Sequence, residues 1–147
     1  KSVMPRVFLS GNYKVETNPQ KTIEIFYNPL FDPKIILLEK KPLLEPTSSQ
    51  INEAKIIEYT PNKVTIETNS DAPKLLFLSD NYYPGWKATV DGAETLILKA
   101  DYTFRAISVP AGKHQVIFTY DPLSFKLGII ICIFSLLSWL VILKLKT

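Results

Sequence analysis

The chain has 147 residues, a formal net charge of +3 and a hydrophobic share of 46%, which suits one domain with a single core and little more. Its 17 Lys and Arg and 14 Asp and Glu are spread along the chain, so no basic stripe points to nucleic acid as a partner. Cys132 is the one cysteine, which excludes a disulfide within the chain, and there is no CxxC, HExxH, P-loop or GxSxG pattern to suggest a metal, nucleotide or nucleophile site.

Taken in order, residues 6–10 form a short apolar strand. Asn18-Pro19 then caps a brief helix through Tyr27, which Pro29 and Pro33 end. Residues 35–39 open on two isoleucines and read as a strand, whereas 40–52 holds two prolines and a Thr-Ser-Ser run and reads as a loop or linker. Residues 54–60 and 63–68 are strands joined by a turn with Pro61 at its first corner. In the second of them Val64 and Ile66 alternate with Thr65 and Glu67, which marks one buried face. The nearly continuous apolar run 74–79 fits a central strand. Residues 86–90 and 95–99 flank the hairpin signal Asp91-Gly92, and 104–109 and 115–120 form a further pair around the Pro110-Ala111-Gly112-Lys113 turn. Strands at roughly ten-residue spacing argue for an antiparallel β-sandwich, jelly-roll-like, with a short N-terminal helix.

From Leu127 to Leu143 no residue is charged. A helix running from Pro122 to Leu145, with Asp121 as its N-cap, would span about 36 Å and cross a bilayer. Lys126 would reach back to one interface, and Trp139 lies toward the other. Lys144 and Lys146 favour a cytoplasmic C-terminus, although Lys113 and Lys126 nearly balance them on the other side. Gly128, Cys132 and Ser135 share one helix face by spacing, a small-residue surface suited to another transmembrane helix. The expected organisation is an N-terminal strand, helix, strand and linker segment over 1–52 packed on the sandwich, an extracytoplasmic sandwich core over 53–121, and a transmembrane helix with a short cytoplasmic tail over 122–147. The chain starts at Lys1 without an initiator Met or signal peptide, and we expect it to be the C-terminal piece of a longer protein.

Two sets of residues could carry function. Around a Pro-Gly turn, Asp80, Asn81, Tyr82, Tyr83 and Trp86 place aromatic faces beside hydrogen-bonding groups. A carbohydrate surface needs that combination, because sugar C–H faces stack on rings while hydroxyls bond to amides and carboxylates. The bland alternative makes Trp86 a core residue and the tyrosines cover for a strand end. Arg105 is a charge in the middle of a strand, and it should find a carboxylate, Asp80 or Asp101, in a structural ion pair. His114, the one histidine, is expected to be exposed, and as a catalytic base it lacks an evident partner. The carboxylates have no spacing that specifies paired acid–base work, so neither a catalytic residue nor a metal nor a cofactor is expected in this segment.

Met4-Pro5-Arg6-Val7-Phe8-Leu9, Phe31-Asp32-Pro33, Tyr82-Tyr83-Pro84-Gly85-Trp86-Lys87, Asp91-Gly92, Phe104-Arg105-Ala106, Pro110-Ala111-Gly112-Lys113-His114 and Tyr120-Asp121-Pro122 follow one another in this chain. In that order they resemble the C-terminal part of the YfhO-type bacterial membrane proteins, over nearly the whole chain. That family is polytopic and similar to GT-C glycosyltransferases, which use polyprenyl-phosphate sugars and are linked to decorating cell-surface polymers. The resemblance implies a non-catalytic extracytoplasmic β-domain plus the last membrane helix of a cell-membrane protein. Its partners would be membrane lipid, upstream transmembrane helices of the same protein, and a polyprenyl-phosphate sugar or cell-surface glycan. The carboxylate that acts in GT-C enzymes belongs to an early loop, so none is carried over to this chain. Two other readings stay open: a structural or assembly module that braces a membrane protein, and a tail-anchored binding domain.

Overall fold

The computed structural model describes residues 4–48 and 50–145. Lys1, Ser49 of the expected linker, and Lys146 and Thr147 of the expected tail lie outside the described residues. Two sheets face one another as a β-sandwich, and one long helix leaves it.

The first sheet has six strands in the order β1-β6-β10-β9-β3-β2, formed by Val7–Ser10, Lys74–Leu78, Phe104–Val109, Leu98–Ala100, Ile36–Leu38 and Tyr13–Val15. The second has five in the order β4-β5-β11-β7-β8, formed by Asn52–Thr60, Lys63–Ser70, Gly112–Tyr120, Trp86–Val90 and Ala93–Thr95. All pairings are antiparallel except β2 with β3. Helix α1, Pro19–Tyr27, lies between β2 and β3 in the chain, and the Asn18 side chain accepts from the Gln20 and Lys21 amides at its start.

Alternation along the strands builds the core. Leu76 and Leu78 of β6, Ile107 and Val109 of β10, Val64 and Ile66 of β5 and Val116 and Phe118 of β11 meet between the sheets. The first sheet buries its other face as well. Leu75 and Phe77 pack there with Ile36, Leu38, Leu98, Ala100 and Ala106. That double burial is the reason β6 reads as a continuous apolar run rather than an alternating one.

Two pairings differ from the sequence-based expectation. Residues 95–99 do not make one returning strand: β8 closes a hairpin with β7, and the chain then crosses to the other sheet and becomes β9. The two-residue Asp91-Gly92 turn fixes the hairpin, and Ile97 turns into the inter-sheet core at the crossing. Similarly, β10 and β11 are not partners. The turn between them carries the chain from one sheet to the other, so β10 pairs with β6 and β9 while β11 pairs with β5 and β7. A tight turn permits either outcome, and apolar faces on both strands favour facing over pairing.

Helix α2, Leu123–Leu145, follows β11 after two residues. Its 23 residues would span about 35 Å, and the segment Leu123–Val141 is long and apolar enough to cross a membrane. None of that segment is buried against the sandwich, so the helix projects away from the domain.

Candidate functional site

The end of the sandwich from which α2 leaves gathers most of the residues singled out above. Arg105 stands opposite Leu78 in the register and points, like Ile107 and Val109, between the sheets. Its side chain is 1% exposed. There the guanidinium carbon lies 4.0 Å from the ring centre of Trp86 and 5.2 Å from that of Phe118. Nη2 donates to Asp80 Oδ2 at 3.0 Å, whereas Nε and Nη1 have no hydrogen-bond partner and rest among the rings. Burial pulls the Arg105 pKa below its usual range, and the charge of Asp80 opposes that shift.

Asp80 is shared. Arg6 holds its Oδ1 through Nε at 3.0 Å and Nη2 at 2.6 Å, and the Tyr59 hydroxyl donates to Oδ2 at 3.2 Å. Arg6 also bonds to the Tyr59 hydroxyl and stacks 4.2 Å from the Tyr59 ring centre. The hydrogen bond to Asp80 raises the Arg6 pKa. One carboxylate therefore ties β4, β10, the segment after β6 and the residue that leads into β1, crossing from one sheet to the other. A shallow depression of 350 Å³ opens beside it, lined by Tyr59, Ser79, Asp80, Asn81, Trp86 and Arg105.

The turn from Asn81 to Trp86 lies against the root of α2. Gly85 has φ +105°, and a Cβ there would sit 3.0 Å from both Tyr120 and Pro122, so only glycine fits this close approach. The Asp121 amide donates to the Gly85 carbonyl at 2.8 Å, and the Trp86 and Tyr120 rings are 5.4 Å apart. The Asp121 carboxylate, expected as a helix cap, is held by Lys126 at 2.7 Å and Lys87 at 3.0 Å. These two lysines, Lys126 foremost, push its pKa down.

The candidate sugar-binding residues divide on this geometry. Asp80 spends its oxygens on Arg6, Tyr59 and Arg105. The Asn81 Oδ1 accepts from the Thr103 hydroxyl at 3.2 Å, and Trp86 is half-buried against the inter-sheet core. Tyr82 is held through its amide by the Thr103 carbonyl, yet its side chain remains exposed, and Tyr83 is 62% exposed. Asp101 does not pair with Arg105. Its Oδ1 accepts from the Leu37 amide at 2.8 Å, and burial pushes its pKa up to about 6. Asp101 and Tyr102 both have positive φ, +46° and +70°, in the turn before β10.

His114 is half-buried rather than exposed, and it has a carboxylate partner that the sequence did not make evident. At the opposite end its Nδ1 lies 2.6 Å from Asp91 Oδ2, and Nε2 lies 3.0 Å from the Ala111 carbonyl. The bond to Asp91 raises the His114 pKa and lowers that of Asp91. The pair joins β11 to the β7–β8 turn, 23 residues apart in the chain. Sequence reasoning also missed Arg6 and Tyr59, which lie 74 and 21 residues from Asp80. No local spacing points from either residue to that carboxylate. Among the described residues no group of three or more His, Cys, Asp or Glu is placed to hold a metal.

On α2 a shallow apolar groove of 640 Å³ runs from Tyr120 and Pro122 past Phe125 to Gly128 and Cys132.

Comparison with known proteins decides the family. The model of the bacterial membrane protein YfhO matches residues 32–132. The chain belongs to the YfhO family. The match covers most of both sheets and the first half of α2. A Bacillus subtilis (strain 168) relative, an uncharacterized protein YfhO, is 26% identical over 136 residues, 92% of this chain. The chain spans 15% of the length of that relative. No solved structure matches it. Family and helix together make this a segment of a bacterial membrane protein that associates with lipid.

Proposed function

We propose that this YfhO-family chain is a non-catalytic extracytoplasmic β-domain with the last membrane helix of a larger protein, one that transfers sugars from polyprenyl-phosphate carriers to cell-surface polymers. The sandwich sits over the lipid-facing site of that protein, and the helix leads to a cytoplasmic C-terminus. Tyr82 and Tyr83 contact the carbohydrate, with Asn81 and the open edge of Trp86 beside them. Asp80 positions this surface through Arg105 and does not bond to the sugar. The groove at Gly128 and Cys132 receives an upstream transmembrane helix of the same protein.

One observation carries this reading. The exposed tyrosines stand on a turn fastened to the helix root through Gly85, Pro122 and Asp121, which supports a contact with a sugar carried on lipid beside that helix. The test replaces Tyr82 and Tyr83 by Ala in the full-length protein and follows labelled sugar into the polymer. Loss of two stacking faces should cut transfer about tenfold, the equivalent of about 1.4 kcal/mol, with protease resistance unchanged. Undiminished transfer overturns the contact.

A structural module is the second reading, and the network at Asp80 favours it. A carboxylate shared among Arg6, Tyr59 and a buried Arg105 stiffens the sandwich where the helix is attached. In that case Tyr82→Ala and Tyr83→Ala leave transfer intact, whereas Asp80→Ala abolishes it by loosening the domain.

A further inference from the structure

The sandwich has two unlike ends. Where α2 leaves, the chain exposes Tyr59, Tyr82, Tyr83 and Tyr102. Strand register and side-chain bonds place all four at this one end. Tyr120 pairs with Trp86, Arg105 pairs with Leu78 and arches over Trp86, Tyr59 bonds to Asp80, and the Tyr82 amide bonds to Thr103 beside Tyr102. Lys87 and Lys126 stand among them on Asp121, and Lys99 lies 5.5 Å from the Tyr102 ring centre. At the other end the strand-to-strand turns 71–73, 91–92 and 110–111 are built from Asp, Ala, Pro and Gly and carry no aromatic side chain. Nothing in sandwich folding requires this asymmetry, since four half-exposed tyrosines leave apolar ring area in water.

A headgroup layer accounts for it. Tyrosine is enriched at the boundary between lipid and water because its ring is apolar and its hydroxyl is wet, and lysine stems cover apolar surface while the ammonium stays hydrated. The apolar helix begins at Leu123 directly beside this end, and Leu123 and Phe125 are exposed at its start. We infer that the tyrosine-bearing end of the sandwich is itself a membrane-contacting surface, seated in the lipid headgroup layer around the root of α2. The lipid surface thereby sets the tilt of the domain. Tyr59 and Tyr102 have no part in the carbohydrate reading, so this inference stands apart from it.

The test uses the chain with Cys132→Ser, reconstituted in nanodiscs of phosphatidylcholine and phosphatidylglycerol without any isoprenoid lipid. A nitroxide is attached at Tyr83→Cys, Tyr102→Cys or Ala111→Cys in turn, and the β-sheet circular dichroism of each variant is checked. Power saturation with oxygen and with a water-soluble nickel chelate should place the labels at 83 and 102 in the headgroup region, with the label at 111 fully aqueous. Aqueous values at both 83 and 102 overturn the inference. A membrane value at 83 with an aqueous one at 102 also overturns it, because the seat requires the whole end. Such a failure leaves the sugar-contact reading untouched, since no sugar carrier is present. Loss of transfer in Tyr82→Ala or Tyr83→Ala does not bear on the depth of residue 102.

Discussion

The two ends of the sandwich solve the same problem by different means. Each must tie two sheets together where strands stop. The helix end does so with a buried guanidinium, a shared carboxylate and stacked rings, drawing on Arg6, Tyr59, Asp80, Trp86 and Arg105. At the far end the chain crosses between the sheets in the 110–111 turn, and the contact of His114 with Asp91 joins β11 to the β7–β8 turn within the second sheet. Buried Lys74 lies toward that far end, where its ammonium donates to the Thr47 carbonyl and burial lowers its pKa. The contrast separates an end where a buried ion pair spans both sheets and from which α2 leaves, from an end whose His114–Asp91 contact stays within one sheet.

The comparison breaks most visibly at Asp80. Asp80→Ala leaves Arg105 buried without its counter-charge and should cost about 3–5 kcal/mol, read as a lower urea midpoint for the chain in detergent micelles. Arg105→Met in the same background should recover much of that loss, because an apolar side chain of similar length fits between Trp86 and Phe118. If the double variant is no more stable than Asp80→Ala, the buried charge is not what sets the cost.

Gly85→Ala against Gly92→Ala sharpens it next. Both positions have positive φ, but only Gly85 is crowded, with Tyr120 and Pro122 at 3.0 Å, whereas nothing lies within 4 Å of a Cβ at Gly92. Gly92→Ala should cost about 1 kcal/mol for the backbone alone. Gly85→Ala should cost about 1–2 kcal/mol more and expose the sandwich–helix join to protease. Equal losses would show that the join yields freely.

The pH dependence of the two ends should have the same sign but different size. Asp101 titrates at about 6 when folded, above the ordinary value of 3.8. The folded chain therefore binds the proton more tightly, and stability falls as pH rises from about 4 through about 6. Asp101→Asn should remove that fall, worth roughly 1–2 kcal/mol after allowance for partial exposure, in melts compared at pH 4.5 and 7.5. His114 is raised above 6.5, so its bond to Asp91 stabilises below that value and is lost as pH climbs through the folded pKa. His114→Gln should show the smallest effect of the set, confined to acidic and neutral pH. A slope unchanged by both substitutions would assign the pH dependence to other groups.

Much of the fold was legible in the chain. β7 and β10 occur where alternation and turn residues put them, and α2 begins one residue after the expected start. Pairing was legible at the β4–β5 hairpin and at the Asp91-Gly92 turn, and elsewhere it was not. The Pro110-Ala111-Gly112 turn looked like a hairpin and is a crossing between sheets, because strand partners are chosen by which apolar faces meet rather than by the turn. β2, only three residues long, carried too little pattern to find. At the site, a mid-strand arginine announced a partner, and Asp80 was one of the two carboxylates considered. The choice over Asp101 required distance, as did the entry of Arg6 and Tyr59.

What local chemistry dictates could be read from order alone: an uncharged helix after a run of alternating strands, tight turns at Asp91-Gly92 and Pro84-Gly85, and a family resemblance carried by short motifs. What depends on contacts between distant segments could not. Only the folded chain brings four exposed tyrosines to the end that bears the helix, buries Arg105 between Trp86 and Phe118, and gives His114 a partner. Periodicity is a property of neighbours along the chain. Burial and charge pairing are properties of neighbours in space, and in a two-sheet sandwich these are seldom the same residues.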